Sequence, residues 1–269
     1  TPIPRTLALA LYGDLDVSTL DEMPPGRAAV TTEHAPEERA LEAVRRAAAA
    51  GRQSYVVYPI INESARLDLK AAVAEYERLK AGAFAGLKTA LVHGRMPSAK
   101  KVAAMEDFAA GRTDVLVATP VVEVGVDVAN ASVMVVQNAD RFGLAGLHQL
   151  RGRIGRGAHP GQCFLVSEPR TDTARRRLQV LCETTDGFRI GEEDLKIRGP
   201  GDALWTAQHG ELGFEAADLA KDADLLDAAR SDADSLIAAD PDLVAPENAG
   251  LRRRLIARYR DKWQSIDLA

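Results

Sequence analysis

Five short runs of apolar and β-branched residues, separated by helical patterns, most constrain the fold of this chain. The runs are Ser54–Ile61, Thr89–Val92, Asp114–Ala118, Ser132–Val136 and Gln162–Val166. Strands that are apolar on both faces and alternate with helices are typical of a parallel sheet covered by helices. The sequence therefore predicts an α/β domain over residues 27–170.

Two of the intervening segments show the 3.6-residue period of amphipathic helices. The apolar positions are Leu69, Val73, Tyr76 and Leu79 in one segment and Val102, Met105, Phe108 and Ala109 in the other. Ser64 and Ser98 precede them, and serine is a preferred N-cap residue. We therefore expect both helices to begin at a serine cap.

The pattern changes on both sides of the predicted domain. Thr173–Thr185 and Leu251–Trp263 have helical patterns, and the residues between them contain turns and acidic helices but no strand-like run. We therefore expect residues 171–269 to form a smaller, mainly helical region. Residues 1–26 begin without a methionine, and we interpret them as a linker cut from a longer protein.

The composition is that of a globular chain, with 46% hydrophobic and 27% charged residues. No apolar stretch approaches the roughly 18 residues of a membrane span. Two cysteines, Cys163 and Cys182, are too few for a disulfide framework. We expect a cytoplasmic, monomeric protein that has no membrane partner and no metal site in this chain.

The net charge of -5 hides an uneven distribution. Between Arg141 and Arg198 there are 11 Lys/Arg and 7 Asp/Glu, whereas 211–242 holds 10 acids and two basic residues. Local charge decides where a phosphate backbone is attracted. The first region is therefore the better candidate for phosphate contacts.

Gln149–Arg156, which reads Gln-Leu-Arg-Gly-Arg-Ile-Gly-Arg, is the most informative stretch. Three arginines lie within six residues beside glycines, on a helix that we expect to begin near Leu144 and end among those glycines. A guanidinium is always charged and binds phosphate oxygens bidentately. Arginine and glycine content alone fits a solvated basic helix end equally well.

Val115–Asp127 is a second informative stretch, in which a strand leads into Thr119-Pro120 and a Gly125-x-Asp127 turn. We expect this turn to present a carboxylate at the carboxyl edge of the sheet, where open α/β sheets bind ligands. By itself, the stretch fits a routine strand-to-helix turn with a capping aspartate.

In this order and spacing, the two stretches resemble motifs VI and V of superfamily 2 helicases. Val57–Asn62 is similar to motif IV, His93–Met96 to the basic segment after the next strand, and Thr1–Thr6 to the end of motif III. Within the superfamily the chain resembles the RecG family most. That resemblance rests on Tyr12–Val17 with Pro24–Gly26, on Arg141–Arg153, and on Asp186–Gln208.

Asp186–Gln208 is similar to the helical hairpin that RecG shares with the transcription-repair coupling factor. Where the family has Gly-Thr, this chain has Trp205-Thr206. The resemblance implies a second RecA-like lobe followed by this hairpin. By this resemblance, the lobe and hairpin would be part of an ATP-dependent helicase that translocates on duplex DNA and remodels forks and junctions in DNA repair and recombination.

The resemblance also implies residue roles. Arg153 and Arg156 would be catalytic residues that reach the γ-phosphate of ATP, while Gln149, Gly125 and Asp127 would border the nucleotide. The residues implied in DNA contact or in coupling are His93, Arg95, Thr119, Arg198 and Gln208.

No G-x-x-x-x-G-K-[S/T] loop and no strand ending in an Asp-Glu pair occurs in the chain. ATP and Mg²⁺ would therefore be bound mainly by an absent first lobe, and the chain alone would not hydrolyse ATP. The implied partners are DNA forks, Holliday junctions and duplex arms, together with the first lobe and wedge domain of the same protein. Two alternatives stay open: a non-catalytic module that binds nucleic acid or a partner, and the motor of a coupling factor.

Overall fold

The computed structural model describes residues 28–59, 65–119, 128–198 and 223–266. Contacts divide these residues into two units, of which the first contains 28–198 and the second 223–266. Each unit is described by itself.

The first unit contains a six-stranded sheet in which every pair of neighbouring strands is parallel. Its strands are β1 (Val30–His34), β2 (Gln53–Val57), β3 (Thr89–Val92), β4 (Val115–Ala118), β5 (Ala131–Gln137) and β6 (Gly161–Val166). They lie in the order β1-β6-β5-β2-β4-β3. The predicted parallel α/β sheet is therefore confirmed.

Among the described residues of this unit, six α-helices and one short 3-10 helix connect or follow the strands. The α-helices are α1 (Glu37–Ala49), α2 (Ala65–Ala81), α3 (Ser98–Ala109), α4 (Leu144–Arg151), α5 (Asp172–Glu183) and α6 (Gly187–Arg198). The 3-10 helix spans Ala139–Arg141, between β5 and α4. The predicted start of α4 near Leu144 and its end at the glycines are confirmed.

The sheet has a hydrophobic core on each face. On one face, α1 and α2 cover alternate residues of β2, β4 and β5, with Val44 and Leu79 fully buried. The other face is covered by α3, α4, α5 and α6. Phe108, Leu147 and Ile190 are fully buried in this second core. Because α5 and α6 pack on this second core, the helices that follow the predicted boundary at residue 170 belong to the same compact unit as the sheet. The boundary itself stays a prediction.

Two local predictions were wrong for physical reasons. The sequence runs missed β1, whose residues Val-Thr-Thr-Glu-His are half-exposed because this strand lies at the sheet edge and pairs only with β6. Ser98 is not an N-cap: the helix begins at Ser98 itself, Pro97 precedes it, and no side chain caps the helix. The predicted cap Ser64 lies outside the described residues.

The second unit contains α7 (Ala223–Ala239), a 3-10 helix (Pro246–Asn248) and α8 (Ala249–Ile266). The Asp240 carboxylate accepts hydrogen bonds from the backbone N–H groups of Val244 and Ala245 and from the Asn248 amide. Leu243 is buried with a positive φ of 50°. The turn between the helices is thus fixed by one carboxylate, and the predicted helical character of this region is confirmed for the described residues.

Candidate nucleotide and nucleic-acid site

Arg151, the first of the three clustered arginines, is an internal structural residue. Its side chain is buried, and Nη1 donates hydrogen bonds to the carbonyls of Leu181 (2.9 Å) and Thr184 (2.8 Å). Nη2 lies 3.0 Å from Nδ1 of His148. Because a guanidinium only donates, His148 Nδ1 is the acceptor. Arg151 therefore ties the end of α4 to the end of α5.

Arg153 and Arg156 follow the last residue of α4, in the segment that leads to β6. Arg153 is half-buried, whereas Arg156 is exposed and donates from Nε to the Gly152 carbonyl at 2.9 Å. This hydrogen bond places the Arg156 guanidinium beside the end of α4. The two candidate catalytic arginines are thus in a different environment from Arg151, a distinction that the sequence does not give.

The glycines between these arginines allow close packing of backbone on backbone. Gly155 has φ of 70°, and a Cβ atom there would lie 2.6 Å from Cγ2 of Val30 and 3.2 Å from the Ala28 carbonyl oxygen. A Cβ atom on Gly157 would collide with the Ala129 carbonyl. Because residues 28–30 and 129 lead into β1 and β5, the arginine segment lies at the amino edge of the sheet.

Of the predicted nucleotide-binding residues, only Gln149 lies within the described residues, half-buried on α4. Gly125 and Asp127 lie outside them. Val128–Asn130, which follow that turn, come directly before β5 begins, at the amino edge of the sheet. There Ala129 meets the backbone at Gly157, directly after Arg156. The carboxyl-edge position of the Gly125-x-Asp127 turn stays a prediction.

His93 and Thr119, both predicted to contact DNA, lie at the carboxyl edge instead. They follow β3 and β4, which are neighbouring strands, and the Thr119 N–H donates to the Val92 carbonyl at 3.1 Å. Thr119 is only 5% exposed, and within the described part of the chain its Oγ1 has no hydrogen-bond partner. The same holds for Nδ1 of His93. Two buried polar atoms without partners at neighbouring strand ends indicate a place for a ligand.

The surroundings of His93 are positively charged. Burial and the nearby Lys101 ammonium lower the pKa of His93 below its usual value. Helix α3 begins here with Lys100 and Lys101 in its first turn and no acidic residue, and Arg95 is exposed beside it. Since a helix N-terminus is itself partly positive, lysines at this position favour an anion. The sequence prediction missed these lysines, although their place after Pro97 could have indicated them.

The structure gives little information on the two remaining predicted residues. Arg198 is the last residue of α6, and its side chain is not described. Gln208 lies outside the described residues. Their roles in coupling stay predictions.

A cavity of about 1080 Å³ opens at the carboxyl ends of β1, β2, β5 and β6. Among the described residues, none of the predicted site residues lines it. Arg78 is neutralised there by Glu37 (2.7 Å) and Glu75 (2.8 Å), and burial raises the pKa of Tyr58 above its usual range. We assign no ligand to this cavity.

The described residues contain neither a metal-binding cluster nor a membrane-spanning helix. No three His, Cys, Asp or Glu side chains among them are grouped so that they could hold a metal ion. None of the described helices combines the length and apolar character needed to cross a membrane. Cys163 is buried, and burial raises the pKa of its thiol to about 12.

Two family models match the chain. The helicase conserved C-terminal domain matches residues 39–158, which contain β2–β5, Thr119, Arg153 and Arg156. The C-terminal part of domain 3 of the ATP-dependent DNA helicase RecG matches residues 184–267. The fold and the first match define the C-terminal lobe of a helicase. The second match is to the RecG family.

Relatives in this family align with nearly the whole chain. An ATP-dependent DNA helicase RecG from Synechocystis is 47% identical over 264 residues, and the one from Bacillus subtilis is 44% identical over 259. These alignments cover 96% and 95% of this chain but only 31% and 38% of the relatives. The chain therefore spans about a third of the length of these relatives.

One solved structure, of RecG bound to a three-way DNA junction, has a TM-score of 0.66 and 49% sequence identity to the chain. It covers 84% of this chain, which corresponds to 29% of that protein. The predicted RecG resemblance and the RecA-like fold are confirmed. The individual site residues stay predictions, because the comparisons do not test them.

Proposed function

We propose that the chain is the second motor lobe and helical region of an ATP-dependent helicase that translocates on duplex DNA and remodels forks and junctions. The proposal rests chiefly on the near-complete alignment of the chain with proteins named ATP-dependent DNA helicase RecG. It extends to DNA repair and recombination, to a monomer in the cytoplasm, and to domains at 1–26, 27–170 and 171–269.

For the nucleotide, Arg153 and Arg156 at the amino edge would contact the γ-phosphate when the cleft between two lobes closes. Arg156 is exposed, and its Nε donates to the Gly152 carbonyl, so its guanidinium lies at the surface beside the end of α4, where a neighbouring lobe would meet it. ATP with Mg²⁺, bound mainly by that lobe, supplies the phosphoryl-transfer chemistry. Guanidinium groups placed this way stabilise charge that develops in the transition state. Gln149, Gly125 and Asp127 would border the nucleotide.

For DNA, the carboxyl edge supplies a positively charged surface with unpartnered polar atoms. His93, Arg95 and Thr119 would hold the tracked strand, and Lys101 adds charge beside His93. Contacts of this kind bind phosphates without reading sequence. Arg198 and Gln208 would couple movement of the hairpin to the duplex.

The full-length protein tests this function directly. We expect it to hydrolyse ATP faster when a three-way junction is added, and to separate the arms of that junction only with ATP and Mg²⁺ present. We expect the 269-residue chain alone to hydrolyse ATP at no more than the background rate. The proposal would be contradicted if ATP hydrolysis by the full-length protein were unchanged by DNA. It would also be contradicted if the 269-residue chain alone hydrolysed ATP above the background rate.

A further inference from the structure

Helix α5 lies between the two segments that the family models match, since residues 159–183 belong to neither. Yet α5 contacts β1, α4, α6 and the 3-10 helix before α4. Its buried residues, Ala174, Leu178 and Leu181, recur on one helix face and fix it on the core shared with α4. This helix is therefore placed to determine where α4 lies.

Three consecutive arginines of α5 make three different connections. Arg175 is exposed and pairs within its own helix turn, with Asp172 at 2.7 Å. Arg176 pairs with Glu193 of α6 at 2.8 Å. Arg177 reaches the opposite way, to the loop that precedes α4.

Arg177 holds that loop by two backbone carbonyls. Nη1 donates to Phe142 O at 3.0 Å and Nη2 donates to Asp140 O at 3.1 Å. The loop contains Asn138 in the left-handed region, with φ of 48°. Phe142 is followed by Gly143, whose carbonyl accepts the hydrogen bond of the Leu147 N–H in the first turn of α4. Arg177 therefore fixes the backbone from which α4 starts.

The other end of α4 is fixed to α5 by Arg151, which donates to Leu181 O and Thr184 O. Both ends of α4 are thus joined to α5 by guanidinium-to-carbonyl hydrogen bonds. Arg153 comes two residues after the end of α4. A shift of the α4 start along the helix axis would therefore move Arg153 and Arg156 as well.

We propose that Arg177 is a positioning residue for the motor: by fixing the 140–142 loop it sets the place of Arg153 and Arg156, without itself contacting nucleotide or DNA. This inference rests on the proposed function, because those two arginines must act on a nucleotide. A displacement of about 1 Å in a catalytic group can reduce turnover by about 100-fold. Substrate affinity need not change, because the other lobe binds most of the nucleotide.

The test uses the full-length protein and measures DNA-stimulated ATP hydrolysis at varied ATP concentration. We expect Arg177→Ala to lower kcat by roughly 10- to 100-fold with KM within about twofold. Arg177→Lys, whose ammonium cannot bridge both carbonyls as a planar guanidinium does, should fall between wild type and Arg177→Ala. Arg175→Ala is the matched control, since it removes an exposed arginine from the same helix.

The outcomes separate this inference from the proposed function. Wild type and Arg175→Ala without DNA-stimulated hydrolysis would mean that the proposed function is wrong. Active controls together with wild-type kcat in both Arg177 variants would overturn the positioning role alone. A parallel rise in KM and fall in melting temperature, with unchanged kcat, would also overturn it, because that is the mark of a purely structural residue. If Arg177→Ala does not fold, the kcat of the folded Arg177→Lys variant decides.

Discussion

The two edges of the sheet differ in how they are built. At the amino edge, glycines allow backbone to pack on backbone, and the Arg156 side chain extends from this rigid base. At the carboxyl edge, His93 and Thr119 present buried polar atoms that have no partner among the described residues. One edge carries an exposed guanidinium, and the other carries polar atoms suited to accepting a ligand directly. Under the proposed function, the amino edge of the sheet would contact the nucleotide and the carboxyl edge would contact DNA.

The largest effect should come from filling the packed amino edge. Gly155→Ala would place a methyl group 2.6 Å from Val30 Cγ2 on a backbone with φ of 70°. The conformation costs roughly 1–2 kcal/mol, and the overpacking costs typically about 1–3 kcal/mol more. We expect urea denaturation of the chain to show a destabilisation of about 2–5 kcal/mol.

Gly51→Ala is the matched control for this substitution. Gly51 has φ of 72°, but nothing lies within 4 Å of a Cβ atom there. Gly51→Ala should therefore lower the free energy of unfolding only by the conformational cost, about 1–2 kcal/mol. Equal losses at Gly51 and Gly155 would show that the amino edge is not tightly packed, and the contrast between the two edges would fail.

A smaller effect should come from the carboxyl edge. Because burial and Lys101 lower the pKa of His93, the free protein holds this imidazole neutral at pH 7.5. A bound phosphate would favour the charged form, so junction affinity should rise as the pH falls below 6.5. We expect His93→Gln to weaken binding at pH 5.5 by roughly 3- to 10-fold and to reduce the salt slope by about 1. Fluorescence anisotropy with a rhodamine-labelled junction measures both.

His159→Gln, which alters an exposed histidine near the amino edge, serves as the control and should leave the pH dependence unchanged. An undiminished gain in affinity at low pH in His93→Gln would remove His93 from the DNA surface. The comparison would then rest on Thr119 and the lysines of α3.

The sequence predicted the four interior strands and the edge strand β3, because each of them contains a continuous apolar run. It missed β1 because Thr31, Thr32 and Glu33 are tolerated where one side of a strand has no neighbour. Its prediction that α4 ends among glycines was correct, because glycine interrupts helical periodicity whatever the tertiary context.

The candidate site was harder to predict from the sequence than the fold. Arg151, Arg153 and Arg156 share one motif, yet only the tertiary structure shows that Arg151 is buried and bonded to carbonyls of α5. The place of the Gly125-x-Asp127 turn stays a prediction, because a motif between two strands does not reveal which strand end it adjoins. The connections of Arg177 involve residues 35 and 37 positions away, which no local pattern encodes.

The central claim is that an exposed arginine at the amino edge acts on a nucleotide held by another lobe. In the full-length protein, Arg156→Ala tests it most directly, with DNA-stimulated kcat and junction affinity measured on the same preparation. We expect kcat to fall by about 10³-fold or more, while junction affinity and melting temperature stay within error of wild type. Wild-type turnover in a folded, DNA-binding Arg156→Ala protein would contradict the account.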